Sequence, residues 1–109
     1  MFVDGPFPFR GEVIWLTPEQ GGRFSGVPPM IEGQSYAHVA HVPPATSGTD
    51  SASFVLRGWD PTRWRSRAEG RWLHVENDGP QLIRPGSIVA ITEGARLVAY
   101  FTVDTVSAP

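Results

Sequence analysis

The chain contains no cysteine and no lysine. Without cysteine it has no disulfide framework, no thiolate zinc site and no cysteine nucleophile. Without lysine, all nine basic residues are arginine, set against eleven acids for a net charge of −2. Bulk charge is therefore not how this chain grips nucleic acid, because phosphate neutralisation scales with the basic residues at the contact. Any RNA contact has to be local. The charged fraction is low, 18%, and no acidic or basic tract is long enough to remain disordered. There is no apolar run of membrane length and no signal-peptide pattern, so a cytoplasmic setting and no membrane partner are expected. No G-x-x-x-x-G-K-S/T occurs either, which excludes P-loop GTP binding; no cofactor is expected.

Glycine and proline are abundant, 12 and 11 of 109 residues. They fall between short apolar runs, as turns do in an all-β protein, and leave no room for a helix of ordinary length. Residues 1–8 form an irregular lead-in whose Phe7, or the following Phe9, is placed to cover one barrel end, and residues 9–109 form one domain. Strands are expected at 9–16, 35–42, 52–59, about 71–76, 87–92 and 95–106. A long loop spans 21–33, and loops of that length are often functional. The third strand is expected to put Phe54 and Leu56 on one face and Val55, Arg57 and Trp59 on the other. The last is expected to bury Leu97, Ala99, Phe101 and Val103, with Glu93-Gly94 turning the hairpin before it. Six short strands suggest a closed antiparallel β-barrel, with a two-sheet sandwich as the competing architecture.

Two stretches share a pattern. Gly11-Glu12-Val13-Ile14-Trp15-Leu16 leads into Glu19-Gln20-Gly21-Gly22-Arg23. Near the other end stands Ala90-Ile91-Thr92-Glu93-Gly94-Ala95-Arg96-Leu97-Val98. With Ser25-Gly26, Gly33-Gln34-Ser35-Tyr36, Val75-Glu76, Pro80 and Gly86 in register, residues 11 to 103 resemble the C-terminal (third) β-barrel domain of elongation factor Tu, standing alone. The first stretch is similar to that family's E-E-G-G-R loop and the second to its A-I-R-E-G-G-R-T-V; the match is weakest over about 45–70. The resemblance implies a six-stranded antiparallel barrel that binds the T-stem backbone of aminoacyl-tRNA, an exchange factor and a GTPase domain. The RNA-contacting positions it implies here are Arg23, Gln34 and Gly94. A family threonine falls at about Pro43 and a lysine at Gly79, which removes two phosphate or sugar contacts.

Read from the residues alone, Gly21 and Gly22 shape a loop that presents Arg23. Its fork suits a phosphate or a partner carboxylate; the structural alternative is pairing with Glu19 or Glu12. Arg57, Arg63, Arg65, Arg67 and Arg71 interleave with Trp59, Trp64 and Trp72, and of these Arg63, Trp64, Arg65 and Arg67 are the candidate contacts for RNA or a partner. The alternative is tryptophans packed under a loop with arginines across their faces. His38 and His41 lie three apart on one strand, hence on opposite faces, and with His74 are expected to be ordinary strand residues rather than metal ligands. No catalytic pair stands out. The expected function is a non-catalytic binding module for tRNA or another structured RNA, or else a protein-interaction module such as an adaptor, inhibitor or toxin-neutralising protein.

Overall fold

The alternation in Phe9-Arg10-Gly11-Glu12-Val13-Ile14-Trp15 becomes strand β1 (Phe9–Trp15), with Phe9, Val13 and Trp15 buried and Arg10 in water. The computed structural model describes residues 5–29, 35–45 and 50–107. In it, β1 is followed by β2 (Tyr36–His41), β3 (Ala52–Arg57), β4 (Arg65–Trp72), β5 (Ile88–Glu93) and β6 (Arg96–Val106). All pairings are antiparallel, and the strands close into one barrel in the order β1-β4-β3-β2-β5-β6. Closure leaves these strands no free edge. Helix is confined, among the described residues, to two short 3-10 turns, Pro18–Gln20 and Gly79–Gln81.

Ring packing fills the interior. Phe54 stacks on Phe9, meets Trp72 edge-on at 4.9 Å between centroids and tilts against Phe101. At the other end Trp15, Tyr36 and Trp59 form a second aromatic group. Of the lead-in, residues 1–4 lie outside the described residues. Phe7 is buried, with the Arg57 guanidinium 3.8 Å from its ring centroid.

Three expectations from the sequence need correction. The fourth strand is not at 71–76 but at Arg65–Trp72, inside the arginine-tryptophan segment. Its inward residues Ser66, Ala68 and Gly70 are small because the rings opposite them are large. A Cβ on Gly70 would stand 2.6 Å from the Phe54 ring. Trp59 belongs to the core with Phe54 and Leu56 rather than to the face of Arg57, since the chain leaves β3 through Gly58, whose φ of 81° breaks the strand's alternation. In β6 the alternation slips: the register shifts between Ile91 and Thr92, Val98 is fully buried and Leu97 only partly so. One extra residue in a strand swaps which side chains face inward.

Candidate functional site

The loop after β1 is built locally. Thr17 caps the Pro18–Gln20 turn: its hydroxyl accepts from the Gln20 N–H at 3.3 Å, while Gln20 Oε1 accepts from the Thr17 N–H at 2.9 Å. Gly21 closes the turn in the left-handed region, at φ 89°. Gly22 is required for a different reason, space: a Cβ there would stand 2.1 Å from the Leu16 carbonyl oxygen. The two glycines thus deliver Arg23 to the barrel end, where β5 turns into β6.

There Arg23 meets neither Glu19 nor Glu12. Its Nε lies 2.8 Å from Glu93 Oε2, though its N–H does not point along a hydrogen bond, and its Nη1 donates to the Gly26 carbonyl at 2.8 Å. The Tyr36 hydroxyl donates to the same Glu93 oxygen at 2.6 Å, and His38 Nε2 stands 3.8 Å from it. Burial, then the hydrogen bond and charge of Glu93, hold the Tyr36 phenol protonated well above its ordinary range, with Arg23 opposing in part. From the hairpin, whose Gly94 turns at φ 62°, Arg96 reaches back to donate to the Gly22 carbonyl at 3.0 Å. The two glycine-arginine stretches of the sequence are therefore clasped together.

Outside this clasp stand two aromatic rings. Phe24 is 81% exposed and carries the Arg96 guanidinium 4.1 Å from its ring centroid. Trp64, 43% exposed, lies against Gly26. Its carbonyl accepts from the Trp15 N–H at 2.7 Å, and the nearby Trp59 donates its indole N–H to the Pro28 carbonyl at 2.9 Å. Those bonds tie the loops 16–29 and 58–64 into one platform.

Of the residues singled out from sequence, Arg23, Gly21, Gly22, Gly94 and Trp64 gather at this end. Gln34 lies outside the described residues. Arg65 and Arg67 run down the outer face of β4, paired with Glu12 and Asp104 respectively. Trp59 and Trp72 are core, and among the described residues the arginine–aromatic contacts fall on Phe7 and Phe24 rather than on tryptophan. Sequence reasoning overlooked Phe24, Tyr36 and Glu93 as site residues. An aromatic alone in a glycine- and serine-rich loop was the available signal for Phe24. No cluster of three or more His, Asp or Glu side chains able to hold a metal occurs among the described residues.

Fold and site together define a closed six-stranded barrel with one clasped end that displays aromatic rings and guanidinium groups. Compared with known proteins, the chain matches no family model, no curated protein and no solved structure.

Proposed function

We propose that this protein is a non-catalytic protein-interaction module, of the adaptor or inhibitor kind, on a barrel of the elongation factor Tu third-domain type, and that it docks its partner through Phe24 and Trp64. The observation that carries the reading is Phe24: a large apolar ring held out in water, its position set by Arg96 on one face. Aromatic rings and arginine are the residues enriched at the centres of protein interfaces. The barrel type is supported by the meeting of the two family-like stretches through Arg23–Glu93 and Arg96–Gly22. The protein reading is favoured because Arg23, paired with Glu93, and Arg96, laid over Phe24, each already commit one Nη1 donor to a loop carbonyl, leaving fewer for phosphates.

A second reading, recognition of tRNA or another structured RNA by this end through Arg23, Gln34 and Gly94, is favoured by the same ring. An exposed aromatic beside a guanidinium also suits base stacking. A photo-crosslinking phenylalanine analogue at position 24, with the same analogue at Val75 on the opposite barrel end as control, separates the two. The protein reading expects a discrete protein adduct at position 24 only, lost when Trp64→Ala is added. Adducts to RNA alone would move the function to the second reading, and equal adducts from both positions would remove the docking site.

A further inference from the structure

The outer wall of the barrel beside Trp64 is unevenly charged. Six of the nine arginines, Arg10, Arg57, Arg63, Arg65, Arg67 and Arg71, stand on the β1-β4-β3 side or the loop joining β3 to β4, against Glu12, Asp60 and Glu69 there and Asp104, which reaches Arg67 from the neighbouring β6, of the eleven acids. The rest of an otherwise acidic molecule is correspondingly more negative. Along this wall runs a groove of about 580 Å³ lined by Glu12, Asp60, Arg63, Arg65, Ser66 and Arg67. It continues, through the shared Gly58 and Arg67, into a second depression beside Arg10 and Glu69.

The cations in the groove are available. The Arg65–Glu12 and Arg67–Asp104 pairs lie at the surface, with the Arg65 side chain 68% exposed. Exposed pairs contribute little, so giving up the resident carboxylate to an incoming one costs little. Arg63 makes no ion pair among the described residues. It stands close enough to Asp60 to help hold that carboxyl below its usual range, an effect led by the Thr62 hydroxyl and backbone N–H, which both donate to it.

We propose that this groove takes an extended acidic segment of the protein partner, one carrying glutamate or aspartate at alternate positions. The inference deepens the docking reading above and rests on it, since the groove begins beside Trp64. Same-face residues of a strand recur about every 6.8 Å, so Arg65 and Arg67 repeat at the spacing of same-side residues in an extended peptide. The groove also contains Glu12, Asp60 and, further on, Glu69. A polyphosphate chain would meet these carboxylates at intervals, whereas a peptide with acids only at alternate positions avoids them. Because closure removes free strand edges, the segment lies across side chains and does not add a strand.

The test is fluorescence anisotropy with a labelled synthetic peptide bearing glutamate at alternate positions, alongside bulk tRNA, at low and physiological salt. The peptide is expected to bind the wild-type protein, to weaken with salt, and to bind the Arg63→Gln/Arg67→Gln double variant at least about tenfold more weakly. Arg84→Gln, away from the groove, leaves binding unchanged. A charge swap guards against loss of folding: Arg67→Glu is expected to bind the lysine version of the peptide better than the wild-type protein does. Equal peptide binding by wild type and double variant, or tighter binding of tRNA than of the peptide, overturns the proposal. If the adduct at position 24 persists while the peptide fails to bind, the docking end stands and the groove falls.

Discussion

Glu93, the last residue of β5, uses one carboxylate oxygen to receive Arg23 at 2.8 Å and the Tyr36 hydroxyl at 2.6 Å. Three segments distant in the chain thereby converge on a single atom. Both ionic partners are largely shielded, with side chains 20% and 27% exposed, so the pair differs in kind from those on the outer wall. Removing one member of a shielded pair leaves the other charge without compensation.

Glu93→Ala is therefore expected to lower stability by about 1–3 kcal/mol, and Glu12→Ala, whose partner Arg65 is in water, by less than about 1 kcal/mol. Urea unfolding followed by tryptophan fluorescence measures both. The midpoint should move and the slope should not. Equal shifts for the two variants would mean that the Glu93 clasp adds nothing beyond a surface contact.

Tyr36 gives this end an alkaline limit. Its phenol is raised in the folded state, by burial first and by Glu93 second, above the 10.0 of the free side chain. Above about pH 10 the unfolded chain ionises at this tyrosine while the folded chain does not, so the unfolded state binds fewer protons and stability falls as pH rises. Below that pH the contribution is fully present and flat. The slope assignable to one such group reaches about 1.4 kcal/mol per pH unit. Tyr36→Phe should remove that part of the decline, with loss of the hydrogen bond to Glu93. An alkaline slope identical in wild type and variant would rule it out.

Most of the barrel was legible because β1 and the later part of β6 alternate, and because Pro18, Pro43 and Gly94 mark where the short apolar runs between them stop. The features that escaped notice have a common cause in packing. The inward side of β4 is Ser66, Ala68 and Gly70, whose smallness makes sense only once Phe54 and Phe101 stand across from them. The slip that buries Val98 instead of Leu97 carries no local mark. At the site, the glycine-arginine loop could be found from sequence, and so could the hairpin glycine. That Arg23 would choose Glu93 over the nearer Glu19 or Glu12 depends on barrel closure, which sets residues from opposite ends of the chain side by side.

The two loop glycines should separate cleanly under substitution. Gly21 needs only its backbone conformation, with open space around it, so Gly21→Asn, which tolerates the left-handed region, should cost no more than about 1 kcal/mol. Gly22→Ala drives a methyl against the Leu16 carbonyl and should cost about 1–3 kcal/mol while displacing Arg23. Thermal melts of the two variants check this. The reverse ranking would mean that loop conformation, not clearance, is limiting.

The platform also predicts a division of labour between its two tryptophans. Trp59 is buried and its indole N–H satisfies the Pro28 carbonyl, so Trp59→Phe should cost about 1–3 kcal/mol and leave that carbonyl unpaired. Loop 23–28 then loses a tether, and its amides should exchange faster while those of β6 do not. Trp64 lies across Gly26 with its ring half in water, and its backbone contribution to Trp15 survives truncation, so Trp64→Ala should change stability by only about 0.5 kcal/mol. If Trp64 nevertheless governs capture of the partner at position 24, its retained backbone bond and lost ring separate display from support. If Trp64→Ala unfolds the loop as Trp59→Phe does, the exposed ring is structural and Phe24 is left as the sole anchor.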